Sequence, residues 1–64
     1  MKNKVRELRK NQKLTQDELA ELIGISRQAI NAIEKEKFDP SLPTAFKMAK
    51  LFDLSIEKIF LFKE

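Results

Sequence analysis

The sequence predicts an all-α protein, a compact bundle of five short helices forming one domain over residues 1–64. Three observations carry the prediction. Apolar residues recur three and four positions apart, whereas strand-like alternation is rare. The chain holds one glycine and two prolines, and each falls at the edge of a helical pattern. Thr15, Ser26, Ser41 and Ser55 each stand just ahead of such a pattern, where a hydroxyl can cap a helix.

The first helix is expected over 2–11, with Val5 and Leu8 facing inward. Asn11-Gln12-Lys13 makes a polar turn, and Leu14 covers the junction. The second helix starts from the "TQDE" of 15–18, a capping box in which the Thr15 hydroxyl accepts from the amide of Glu18 and Glu18 reaches back. Asp17 and Glu18 also suit the positive end of the helix dipole. Leu19, Ala20 and Ile23 form its inward stripe, and Gly24 stops it, because a left-handed backbone is cheapest at glycine. Ser26 caps a third helix over 26–35. Ile25 alone separates Gly24 from that cap, so the two helices must cross steeply. "FDPSLP" is a loop, since Pro40 disfavours helix at Asp39. Ser41 caps a fourth helix that tolerates Pro43 in its first turn. Ala45, Phe46, Ala49 and Phe52 repeat along it at helical spacing, with Met48 and Leu51 as a second apolar edge. A short fifth helix occupies about 56–59.

Composition narrows the function. A domain of 64 residues has a marginal core and often needs a staple. Cysteine and histidine are both absent, which excludes disulfides and thiolate or imidazole metal sites, and removes the commonest general base. No metal or cofactor is expected, and oligomerisation is the remaining staple. An enzyme would need paired carboxylates or a lysine in a pocket. No such constellation stands out, and a fold this small offers little cavity. No apolar run approaches a membrane span or a signal-peptide core. The net charge is +3, which permits an anionic partner. Lys2, Lys4, Arg6, Arg9, Lys10 and Lys13 face a single nearby acid, Glu7, while Asp17, Glu18 and Glu21 collect further on. Alone, such a run is an ordinary solvated helix surface.

The third helix says more. With Ile30 and Ile33 pointing inward and Ala29 at the seam, Arg27, Gln28, Asn31 and Lys35 share the outer side, with Ala32 between them. Arginine can grip guanine through two parallel hydrogen bonds, and glutamine or asparagine can grip adenine. An α-helix fits the major groove, and its N-terminal residues reach the bases. A merely soluble helix would carry more glutamate on that side.

"TQDELAELIGISRQAINAIEKEKFDPS" resembles the helix-turn-helix of the Cro and phage-repressor family, the lambda-repressor-like or xenobiotic-response-element-type regulators. The chain is similar to short stand-alone bacterial members over nearly its whole length. Ala20, Gly24, Leu19, Ile23, Ile25, Ile30 and Ile33 all fall at the family's spacing. The resemblance implies a helix-turn-helix over about 15–35. It implies base contacts from Arg27, Gln28 and Ala32, with Asn31 between base and backbone. Ala32 is short enough only to touch a thymine methyl or leave room for Asn31. It implies phosphate contacts from Gln16, Ser26, Lys35 and Lys37, and Gln16 can also buttress the first recognition residue. Glu36 departs from the glycine often found there, so this carboxylate pairs with Lys37 or turns aside. The family also places an Arg–Glu pair at Arg9 and Glu34. The spacing agrees, because Arg9 follows Val5 and Glu34 follows Ile30 by one helical turn. A largely buried ion pair is expected, with a phosphate contact from Arg9 as the alternative.

Phe46 and Phe52 are expected in the core, and Phe38 under the loop. "IFLF" at 59–62 is an apolar run near the chain end. Ile59, Phe60, Leu61 and Phe62 are expected to form a homodimer interface within a dimerisation region over about 53–64. The alternative has Ile59 and Phe60 closing the core while Leu61 and Phe62 stay partly exposed. The tail can also pair as a strand with residues 1–3, as in some short members of the family. The resulting expectation is a cytoplasmic, nucleoid-bound transcriptional regulator. It would be a repressor binding an inverted repeat of double-stranded DNA as a homodimer, with no small-molecule effector evident. The competing expectation is a protein-binding module such as an antitoxin, disfavoured because no partner-wrapping tail follows Glu64.

Overall fold

The structure of the protein, a computed structural model, describes residues 1–62. The expected final residues of the dimerisation region, Lys63 and Glu64, lie outside them. The elements run β1 (Lys2–Asn3), α1 (Val5–Asn11), α2 (Gln16–Ile23), α3 (Arg27–Glu34), α4 (Leu42–Phe52), α5 (Ile56–Ile59) and β2 (Phe60–Leu61). The strands pair antiparallel, Lys2 opposite Leu61 and Asn3 opposite Phe60. The all-α bundle therefore carries a two-stranded clasp that joins the start of the chain to the end of α5.

The clasp corrects the expected first helix, which begins at Val5 rather than at residue 2. Asn3 is the reason. Its Oδ1 accepts from the Val5 N–H (3.0 Å) and its Nδ2 donates to the Ile33 carbonyl (2.8 Å). The Lys4 N–H donates to the Ile59 carbonyl at 2.9 Å. A short polar side chain that competes for nearby backbone groups favours a helix start over a helix interior.

Val5, Leu19, Ile30, Ile33, Met48 and Ile59 are fully enclosed, one or more from every helix, so the bundle shares a single core. Ala20 is small where α2 meets α3, letting the two backbones approach. α2 has the full capping box, with Glu18 N–H to Thr15 Oγ1 at 3.0 Å and Thr15 N–H to Glu18 Oε1 at 2.8 Å. Ser26 and Ser41 accept from the Ala29 and Thr44 amides. Ser55 stands at the start of α5 without a side-chain cap.

Four helices end alike. A residue one or two positions past the end is left-handed: Lys13 (φ 59°), Gly24 (88°), Glu36 (64°) and Asp53 (55°). The next N–H in each case bonds back five residues, Leu14 to Arg9, Ile25 to Ala20, Lys37 to Ala32 and Leu54 to Ala49. This closes carbonyls that the last turn would leave open. Leu14, Ile25 and Leu54 then pack onto the core.

Two aromatic expectations are corrected. Phe46 is 55% exposed, because Thr44, Ala45, Met48 and Phe52 are the residues α4 turns inward. Phe38 is 53% exposed. The loop it was expected to underlie is tied instead through Asp39, whose carboxylate lies 3.1 Å from the Met1 ammonium. Ile59 and Phe60 close the core of this chain, while Leu61 is half-buried and Phe62 is 72% exposed. Among the described residues no helix is long and apolar enough to cross a membrane.

Candidate nucleic-acid interface

α3 divides into two faces. Ile30 and Ile33 are completely buried against the rest of the bundle. Ser26, Arg27, Gln28 and Lys35 are exposed, and Asn31 and Ala32 are half-buried. The first turn of α3 contains no acidic residue, whereas α2 places Asp17 and Glu18 in its first turn. The positive end of α3 is therefore left to face an anion, with Arg27 beside it.

A polar chain runs behind this surface. Arg9 Nε donates to Glu34 Oε2 at 2.7 Å, and Nη2 donates to Oε1 at 3.1 Å. Nη1 donates to the Leu14 carbonyl at 2.8 Å. The Arg9 side chain is 11% exposed and that of Glu34 only 3%. Each guanidinium nitrogen thus donates once inside the protein, which engages three of its five N–H groups. The Glu34 hydrogen bond raises the pKa of Arg9 above its ordinary value, against desolvation by burial and with help from the carboxylate charge. Arg9 stays protonated at every ordinary pH.

Gln16, half-buried at the start of α2, extends the chain. Its Nε2 donates to Glu34 Oε1 at 3.1 Å and to Asn31 Oδ1 at 3.3 Å. Gln16 therefore supports Asn31, one turn along α3, rather than Arg27 or Gln28 at its start. Asn31 occupies that place because Gln16 faces the middle of α3.

Arg6, Arg9, Gln16, Asn31, Glu34 and Lys35 line a polar cleft of about 210 Å³ between α1, α2 and α3. Arg6 stood out in the sequence only as part of the basic run over 2–13, not as a site residue. It stands one turn before Arg9 on the same helix, and that spacing was the available signal. Lys37 is exposed beyond α3. Glu36 turns aside: its Oε2 accepts from the Asn3 N–H at 3.3 Å. Its positive φ explains why glycine would suit the position. The Lys37→Ala32 and Glu36→Ile33 backbone bonds that end α3 require a left-handed residue there.

A helix-turn-helix family model matches residues 5–59. An uncharacterised HTH-type transcriptional regulator of Methanocaldococcus jannaschii is 53% identical over 64 residues, covering all of this chain and 97% of that protein. Among solved structures, the restriction-modification controller protein C.AhdI from Aeromonas hydrophila superposes with a TM-score of 0.78. It has 32% identity over 89% of this chain and 86% of that one. The N-terminal DNA binding domain of SinR from Bacillus subtilis gives 0.75 at 25% identity, over 84% of this chain and 80% of that one. These similar proteins come from archaea and bacteria alike, so the resemblance does not favour a bacterial source. The fold, the matched span and the identity together show that the chain belongs to the helix-turn-helix family, as a transcriptional regulator of the Cro and phage-repressor type.

Proposed function

We propose that the protein is a sequence-specific reader of double-stranded DNA that represses transcription by occupying an inverted-repeat operator as a homodimer. The two-faced α3 carries the reading: Ile30 and Ile33 anchor it in the core while Arg27 and Gln28 stand exposed at its start. In the major groove Arg27, Gln28 and Asn31 discriminate bases, and Ala32 allows a thymine methyl to approach. Ser26, Lys35 and Lys37 meet phosphates, joined by Arg6 of the cleft, and Gln16, whose side-chain nitrogen is engaged by Glu34 and Asn31, offers a phosphate its backbone N–H at the start of α2. Repression needs only occupancy of a promoter. Such a protein works in the cytoplasm, on the nucleoid.

Size and surface support the dimer. The described chain measures 32 × 23 × 20 Å and presents one reading helix. A two-fold copy sets two such helices about 34 Å apart, one turn of DNA. Ile59 and Phe60 are enclosed within the chain itself, so Leu61 and Phe62 are the residues of the tail that face the second copy.

Selection of bound duplexes from a random library at moderate salt tests the proposal. Enrichment of an inverted repeat with half-sites about one turn apart supports it. A single enriched half-site removes the dimer and keeps the reader. No enrichment by folded protein removes the DNA function and favours a protein partner.

A further inference from the structure

The basic run at the start of the chain acquires a place in the fold. Lys4, at the head of α1, and Arg6 and Lys10 within it are all exposed. The three cations line a second cleft of about 500 Å³, which reaches from α1 to Glu34 at the end of α3. This cleft adjoins the one lined by Asn31 and Lys35, because Arg6 and Glu34 border both. Cations therefore follow one another across the surface, from Lys35 on the outer side of α3, through Arg6, to Lys10 and Lys4. Carboxylates do little to neutralise them. Glu34 is spent on Arg9, and Glu7 is the one other acid in either wall. Among the described residues, no carboxylate lies within ion-pair distance of Lys4, Arg6 or Lys10. A helix surface that is merely solvated intersperses its signs and laces them into pairs.

We propose that Lys4 and Lys10, with Arg6, form a backbone-binding track on α1, which holds a run of DNA phosphates continuing past those met by α3. This rests on the reading of α3 as a major-groove helix. A helix in that groove has a sugar–phosphate strand passing beside it, and the track opens from the cleft that Asn31 and Lys35 of α3 line. Charge names the occupant: an unpaired row of ammonium and guanidinium groups suits a phosphodiester chain. Arg6 and Lys10 stand one turn apart, about 6 Å along the helix axis, far enough to engage separate phosphates. Phosphates carry no sequence information, so the track adds affinity and fixes the approach of α3 without altering the motif. Glu7 opposes it, because its carboxylate stands in the same wall.

The test is a salt series on the selected duplex and a scrambled one, with the full chain and single exposed substitutions. Lys10→Gln should lower the slope of log affinity against log salt by about 0.9, and Lys4→Gln with Lys10→Gln by about twice that. The ratio of the two duplexes should stay that of the wild type. Lys50→Gln is the control: it is exposed on α4, lines neither cleft, and should leave the slope unchanged. Glu7→Gln should bind both duplexes more tightly, a gain that a purely structural role of α1 would not produce. Neutral methylphosphonate linkages scanned through the selected duplex then locate the run. Linkages that weaken the wild type there should cease to matter in the double lysine variant. A slope that falls no more in Lys10→Gln than in Lys50→Gln would overturn the track, as would weaker binding by Glu7→Gln. In either case an intact preference for the selected duplex leaves the reading of α3 standing. A wild-type protein that prefers no sequence would overturn that reading, and the track with it.

Discussion

Arg9 and Glu34, 25 residues apart, form a two-point ion pair that ties α1 to α3. Both side chains are almost wholly withdrawn from water. Removing one partner leaves a buried charge without its counterpart. Glu34→Ala should therefore cost about 3 kcal/mol, read as a lowered urea midpoint. Replacing both residues together by leucine should recover much of that loss, since well-packed apolar side chains can substitute for a buried pair. A midpoint unchanged in Glu34→Ala would show that the pair contributes nothing.

Glu36 is strained where glycine would not be. Its φ of 64° is a conformation that side chains bearing a Cβ adopt at a cost. Glu36→Gly should raise stability by about 1 kcal/mol, offset in part by the lost contact to Asn3. It should also strengthen DNA binding by removing a carboxylate beside the proposed phosphate edge. A loss of stability on substitution would mean that the Asn3 contact outweighs the backbone strain.

Arg27 and Lys37 should behave differently on DNA. Arg27→Ala should cost about 1–3 kcal/mol on the preferred sequence and relax selection at one base pair. Lys37→Ala should weaken every sequence alike and reduce the salt slope by about one. Titrations across a salt series separate the two outcomes.

The tail gives a matched pair of substitutions. Phe62 is exposed, so Phe62→Asp should leave the chain folded, convert dimers to monomers in light scattering, and weaken DNA binding. Ile59 is fully enclosed, so Ile59→Asp should unfold the protein. A dimer that survives Phe62→Asp would place the interface elsewhere.

Gly24 announced the end of α2 in the sequence because glycine is the usual left-handed residue. Lys13, Glu36 and Asp53 perform the same task at the ends of α1, α3 and α4; aspartate tolerates a positive φ better than most residues, but a lysine or glutamate side chain gives no sign of one. Those ends were legible through the polar turn at 11–13, the proline loop after α3 and the apolar pattern on either side. Periodicity alone also mistook the orientation of α4. Ala45, Phe46, Met48 and Ala49 all fit a helical stripe, and it is Ala45 and Met48 that face the core while Phe46 points outward. The start of the chain read as helix because Lys2 and Asn3 carry no strand pattern. Their partner Phe60–Leu61 lies at the far end of the sequence, so the pairing of the tail with residues 1–3 was legible only through the family resemblance and not through any pattern in the residues themselves. The two-faced α3 was legible because Ile30 and Ile33 lie three apart and fully define one side. The link from Gln16 to Asn31 was not legible, since spacing within α3 does not reveal which side chain α2 reaches.

The central claim is that the outer face of α3 reads base sequence. The most direct test is the ratio of affinities for the selected duplex and a scrambled one, at a single salt concentration. It is measured for the wild type and for the combined variant Arg27→Ala, Gln28→Ala, Asn31→Ala. The account predicts a wild-type ratio on the order of a thousand or more, falling close to one in the variant while affinity for scrambled DNA persists. A variant that keeps the wild-type ratio would show that some other surface reads the sequence.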